Sequence, residues 1–182
     1  MDHTEAIVEI KNVISPHFIK RIIPFINKKA KKKLTAESGL VSKVRNVKGY
    51  HLAIVTTPTN LFYWNYIKRE IERLYIFYKG KFPKMNSDKI NQIDLLKYSP
   101  GGKYEIHTDY YPTTNRVLSV IMNLNDDYEG GDLIFFDQKD KEIKKIKLDI
   151  GSIVFFPSNF MYSHCIQPIT KGNRYSIVAW LQ

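Results

Sequence analysis

The sequence predicts a mainly β protein: a jelly roll of two facing sheets, buttressed by two main α-helices that precede it. Three observations carry this expectation. From residue 89 onward, eight short extended runs (about 90–98, 103–109, 116–124, 132–137, 142–148, 152–157, 161–168 and 173–181) are separated by Gly, Pro, Asn and Asp clusters, the punctuation of a β-sandwich or barrel. Ahead of them, two segments carry apolar side chains at spacings of three and four behind proline-led start signals. With 182 residues, 43% hydrophobic and 25% charged, the chain suits one packed domain, residues 1–88 being helical support and 89–182 the β core.

Taken in order, an apolar segment at Ala6–Ile10 leads to Ser15-Pro16, an N-cap followed by a residue suited to the first helical turn. A helix is expected from Pro16 to about Lys32, with Phe18, Ile22, Phe25 and Ile26 on its packing face and a kink or break at Pro24. Residues 35–55 contain Gly39 and Gly49 and alternate weakly, which reads as a loop and then short extended pieces. Thr57-Pro58 opens a longer helix to about Tyr78, presenting Leu61, Trp64, Ile67, Ile71, Leu74, Tyr75 and Tyr78 to a sheet, with Gly80 and Pro83 ending it. His3, His17 and His51 have no ligand partner near them in sequence and read as structural or surface residues.

Composition excludes several classes. One cysteine, Cys165, rules out an internal disulfide and any cysteine-cluster metal site, so a metal would be held by His and carboxylate. No run approaches the roughly 18 apolar residues of a membrane span, and a cytoplasmic location is expected. The net charge of +10 is uneven: residues 1–50 carry 11 basic and 4 acidic side chains, whereas residues 101–150 carry 7 and 10. The run Lys28, Lys29, Lys31, Lys32 and Lys33 reads first as a solvated helix end, with attraction of nucleic acid or an acidic protein as the alternative.

The chemistry centres on YSPGGKYEIHTD, residues 98–109. On an extended strand His107 and Asp109 share one side, because side chains repeat with period two. A third ligand is available in His164, since the second and seventh strands of a jelly roll can lie side by side. Two histidines and one carboxylate leave open positions, an arrangement suited to non-haem Fe(II). Ten residues later Arg174 and Ser176 point the same way from one strand, and together make a receptor for a carboxylate such as the far end of a 2-oxo dicarboxylic acid.

With these motifs in place, the span from Tyr98 to Gln182 resembles the double-stranded β-helix core (jelly roll, cupin-like) of the Fe(II)- and 2-oxoglutarate-dependent oxygenases, in particular prolyl 4-hydroxylase-like and PKHD-type hydroxylases of bacteria and phages. Besides the residues above, the resemblance runs through Gly101, Tyr104, Arg116 to Ser119, Leu124-Asn125, Tyr128 to Leu133, Gly151, Val154 to Ser158 and Pro168 to Arg174, closing on Trp180. It implies Fe(II) on His107, Asp109 and His164, 2-oxoglutarate on Arg174 and Ser176 with help from Tyr98, and Tyr104 lining the pocket. O2 would be the second cosubstrate and ascorbate a candidate auxiliary. The implied activity is hydroxylation of an unactivated C–H bond of a protein, peptide or small molecule, a prolyl residue first. A nucleic-acid-modifying oxygenase and a non-catalytic metal-binding module are the alternatives. Asn123 stands where many relatives place a tyrosine that contacts 2-oxoglutarate; an Asn there can reach the carboxylate only at shorter range or through water. Trp180 and Phe135, Phe136, Phe155 and Phe156 are candidate walls, the phenylalanines reading first as core. Cys165, on the opposite strand face from His164, is assigned to the core. The loop Tyr110–Asn115 is expected over the pocket mouth.

Overall fold

The computed structural model describes residues 3–34, 44–53, 57–87, 89–110, 113 and 115–182. The expected loop at 35–55 and the loop Tyr110–Asn115 therefore lie partly outside the described residues.

Helix α1 spans Pro16–Lys29, and Phe18, Ile19, Ile22 and Ile26 form its buried stripe. Ser15 occupies the N-cap position, but its hydroxyl makes no capping bond; its carbonyl accepts from the Ile19 N–H at 3.1 Å. Pro24 lies inside α1 without breaking it. Its site is exposed, so water can satisfy the carbonyl that a missing N–H leaves free. The helix ends short of Lys32 because the chain turns there to pair with a strand. Helix α2 spans Pro58–Lys81, with the Thr57 hydroxyl accepting from the Asn60 N–H at 3.1 Å. Trp64, Ile67, Ile71, Leu74, Tyr75 and Tyr78 are buried along it, whereas Leu61 is exposed rather than on the packing face. Gly80 does not end this helix, which runs one further residue to Lys81.

Fourteen strands are present among the described residues. In the N-terminal half they are β1 (Val8–Ile10), β2 (Lys32–Lys33), β3 (Arg45–Asn46) and β4 (Lys48–His51). The C-terminal half contains β5 (Ile90–Tyr98), β6 (Lys103–His107), β7 (Leu118–Asn123), β8 (Glu129–Gly130), β9 (Leu133–Phe136), β10 (Glu142–Ile146), β11 (Ile153–Pro157), β12 (Ser163–Ile166), β13 (Ile169–Lys171) and β14 (Arg174–Leu181). Each of the eight expected runs contains a strand, most trimmed by one to four residues. The apolar segment Ala6–Ile10 supplies an edge strand, β1, that alternation did not reveal.

All pairings are antiparallel. The larger sheet runs β1-β11-β7-β14-β5-β4-β2, the smaller β10-β9-β12-β6-β3, and β8 and β13 form a separate two-stranded ribbon. The fold is a jelly roll whose larger sheet carries both helices on its outer face. Strand β14 makes this two-sidedness explicit: Tyr175, Ile177, Ala179 and Leu181 join the core shared with α1 and α2, while Arg174, Ser176, Val178 and Trp180 face a cavity between the sheets. Lys28 and Lys29 close α1, where positive charge suits a helix C-terminus, and Lys32–Lys33 is an exposed edge. This matches a solvated helix end.

Candidate metal and cosubstrate site

The expected adjacency of the second and seventh runs is realised in the register. Strand β12 pairs with β6 so that His164 lies directly opposite His107. Asp109 follows just beyond β6, and the ligand atoms of His107, Asp109 and His164 all lie within 4.8 Å of one another. His107 Nε2 is 3.5 Å from Asp109 Oδ1, and His164 Nε2 is 3.8 Å from Asp109 Oδ2.

Both imidazoles are oriented by the backbone. Nδ1 of His107 donates to the Glu105 carbonyl at 2.8 Å, and Nδ1 of His164 to the Tyr162 carbonyl at 3.0 Å. This leaves each Nε2 as the free ligand atom, the arrangement metal-binding histidines use. Burial, reinforced by the neighbouring His107, pushes the His164 imidazole down to about 4, so it is neutral near pH 7. Burial works against the Asp109 carboxylate, but His164, His107 and the Ser119 hydroxyl outweigh it and keep the group ionised. Ser119 donates to Asp109 Oδ2 at 2.7 Å and sits 2.8 Å from the Ser158 hydroxyl. Phe156 and Phe135 pack on the His164 ring at 4.8 and 5.7 Å. Phe155 instead faces the helices, against Tyr78, and Phe136 is only half-buried. None of the four reaches the cavity itself. The donor set suits a divalent ion that takes nitrogen and oxygen ligands at about 2.1 Å and keeps open positions.

Tyr104 reaches the pocket by a route that strict alternation would forbid. It lies three positions before His107, which in a regular strand would place the two on opposite faces. A β-bulge resolves this: His107 and Tyr104 pair with His164 and Ile166, three steps on one strand against two on the other. The Tyr104 ring then stacks on His107 at 3.5 Å between centroids.

Arg174 is 1% exposed, and its Nε and Nη2 have no hydrogen-bond partner. Nor has the Ser176 hydroxyl or the Trp180 indole N–H, both also buried. All three residues line one cavity, together with Tyr98, Tyr104, His107, Asp109 and His164. The Arg174 guanidinium lies 5.4 Å from the Tyr98 ring centroid. A buried guanidinium and hydroxyl with unused donors form an anion receptor, because leaving them unpaired is costly.

Asn123 stands apart from this receptor. It is paired with Ser176 in register, yet its Nδ2 donates to the carbonyls of Asn125 at 2.6 Å and Leu148 at 2.9 Å, while its Oδ1 accepts from the Tyr128 hydroxyl at 3.4 Å. Its amide is spent on holding two loops, and it is not among the cavity-lining residues. Cys165 is half-buried on the strand face away from His164, rather than fully in the core. His51 is a surface residue, as expected, and its Nδ1 lies 2.6 Å from Asp94 Oδ1.

Sequence reasoning gave no site role to three contributors. Ser119 had a faint signal, as a polar residue among the apolar neighbours Leu118 and Val120 to Met122. Arg116 lies over the Trp180 ring at 4.0 Å and donates to the Asp109 carbonyl at 3.3 Å and to Gln92 Oε1 at 3.2 Å, anchoring the backbone at Asp109. Arg45 lines the cavity from β3, a position that nothing in its local sequence marks.

Comparison with known proteins agrees with this geometry. The profile of the 2OG-Fe(II) oxygenase superfamily matches residues 93–182. A PKHD-type hydroxylase from Prochlorococcus marinus is 35% identical over 98 residues, covering 52% of this chain and 42% of that protein. One from Synechococcus sp. (strain JA-2-3B'a(2-13)) is 27% identical over 120 residues, covering 62% and 50%. The chain thus spans half or less of these curated relatives. Among solved structures, a prolyl hydroxylase from Trichoplax adhaerens in complex with a hypoxia inducible factor oxygen degradation domain peptide fragment superposes with a TM-score of 0.79 at 17% identity, covering 98% of this chain and 84% of that one. A Pseudomonas putida prolyl-4-hydroxylase gives 0.73 at 15%, covering 97% and 92%. These likenesses show the same fold. Neither they nor the described residues support nucleic-acid recognition, and no helix among the described residues is long and apolar enough to cross a membrane.

Proposed function

Because the chain belongs to the 2OG-Fe(II) oxygenase superfamily, of PKHD type, we propose that it hydroxylates an unactivated C–H bond using Fe(II), 2-oxoglutarate and O2, with a prolyl residue of a protein or peptide as the first substrate to test. The observation that carries this reading is the pairing of a His-Asp-His cluster with the unpartnered donors of Arg174 and Ser176 in one cavity. The PKHD-type relatives and the peptide held by the Trichoplax neighbour support the substrate class.

His107, Asp109 and His164 would hold Fe(II) from one side, each imidazole fixed in its tautomer by a backbone carbonyl. Arg174 and Ser176 would receive the far carboxylate of 2-oxoglutarate, which turns its keto acid end toward the metal ligands. Leu96, Val178 and Trp180 wall the cavity and keep water from the reacting centre. When bound, the iron supplies the O2 chemistry that couples conversion of 2-oxoglutarate to succinate and CO2 with hydroxylation of the substrate. The whole chain acts in this reading as a single domain.

Anaerobic addition of Fe(II) and 2-oxoglutarate to the purified protein should produce a weak visible charge-transfer band. Admitting O2, with ascorbate present as reductant, should yield succinate. A folded protein that gives neither band nor succinate overturns the reading.

A further inference from the structure

Arg45 is a cavity side chain for which neither the metal nor the cosubstrate has a use. It opens β3 at the edge of the smaller sheet, paired with Tyr104 of β6, and is only 8% exposed. Its guanidinium lies over the Tyr104 ring at 4.7 Å, and that ring stacks on His107 at 3.5 Å. The charge therefore stands one aromatic ring away from a metal ligand. Its Nε is buried without a hydrogen-bond partner, and no carboxylate among the described residues forms an ion pair with it.

Charge balance says what is missing. A divalent ion, the Asp109 carboxylate, a doubly charged 2-oxo acid and Arg174 cancel one another, an imidazole on a metal being a neutral ligand. Arg45 adds one positive charge that no other cavity-lining residue offsets, and a desolvated cation without a counter-charge is unfavourable. Arg174, with the Ser176 hydroxyl, already offers the cosubstrate's far carboxylate a fork of donors, which leaves Arg45 for another anion.

We infer that the substrate itself carries a carboxylate, which docks on Arg45 within a few bonds of the carbon that is oxidised. The inference rests on the oxygenase reading and narrows it: the site takes a free or C-terminal amino acid, or a residue beside Asp or Glu, in preference to a neutral stretch of chain. Tyr104 acts as the shared wall, stacking under Arg45 on one side and against the metal ligand on the other.

The test uses the full chain loaded anaerobically with Fe(II) and saturating 2-oxoglutarate, and reads perturbation of the visible band. One arm titrates the twenty L-amino acids against their α-carboxamides. The second compares acetylated, amidated tripeptides Ala-Pro-Asp and Ala-Pro-Asn. In at least one arm the acid should bind tenfold or more tighter than its amide, and the arm that responds tells a free carboxylate from an acidic neighbour. Arg45→Gln should weaken that binding at least tenfold, with Arg45→Lys recovering part of it. Equal binding of acids and amides, no binding by any probe, or an Arg45→Gln protein with undiminished affinity each overturns the inference. If Arg45→Gln fails to fold, the acid and amide comparison on the native chain decides alone. Absence of the band before any probe is added speaks instead against the oxygenase reading.

Discussion

Arg174 concentrates the conflict between stability and chemistry in a single residue. Its guanidinium is buried with Nε and Nη2 unpaired, so the ligand-free fold carries a desolvation cost that a bound carboxylate would relieve. Arg174→Met keeps the length of the side chain and removes the charge. It should raise the stability of the metal-free protein by about 1–3 kcal/mol, while 2-oxoglutarate binding falls at least 100-fold. Thermal melting and anaerobic titration check the two halves. A second residue makes stability depend on pH. The hydrogen bond to Asp94, opposed in part by burial, raises the His51 imidazole above its ordinary 6.5. Protonated His51 therefore favours the folded state in full below about pH 6.5, and that contribution is lost as pH rises through the elevated native value. With the ring largely exposed, it is worth about 0.5–1 kcal/mol. The melting-temperature gap between the native chain and His51→Gln should be wider at pH 6 than at pH 9. Much of the residue-scale arrangement was legible in advance, because His107, Asp109, His164, Arg174 and Ser176, which the fold brings to one cavity, are reactive types at telling spacings. Arg45, by contrast, is brought to the site by a two-residue edge strand, and Asn123 is turned from it by loop carbonyls; neither outcome has a local signature.

At the scale of elements, hydrophobic period and turn chemistry placed both helices and eight of the ten C-terminal strands, since their apolar faces are what the sheets bury; the short ribbon β8–β13 falls in stretches that read as turns. The errors lie where tertiary contacts compete with local signals. Pro24 reads as a breaker, but α1 continues through it, its buried stripe anchored by Phe18, Ile22 and Ile26 on either side. Pro24→Ala restores an N–H at an exposed position and should stabilise the protein by about 1–3 kcal/mol, measured by denaturant unfolding. A destabilising result would mean that the proline ring packs as well as interrupts. The bulge in β6 is a different case: the family resemblance put Tyr104 in the pocket, where it lies, but strict period two does not lead there, and the pairing irregularity that brings it round has no sequence marker.

Across the whole molecule, one apolar core joins α1 and α2 to the larger sheet, and a second lies between the sheets around the cavity. The helices are thus part of the structure that holds Arg174 in place. Residues 89–182 expressed alone should lack a cooperative thermal transition and bind a hydrophobic dye, since Ile93, Leu95, Ile177 and Ala179 would meet water. A cooperative melt would assign the helices a lesser role. The alternation along β14 links these two cores in one strand, and its consequence is a rhythm in tolerance to change. Substituting residues 174 to 181 one at a time should give a two-beat record: alanine at Ile177 costs about 2–4 kcal/mol and leaves ligand affinity almost untouched, whereas alanine at Ser176 barely moves the melt and weakens the ligand. If the cavity face holds the ligand, a lineage could change what the protein binds on one set of alternate letters of β14 while the other set keeps the helices on the sheet.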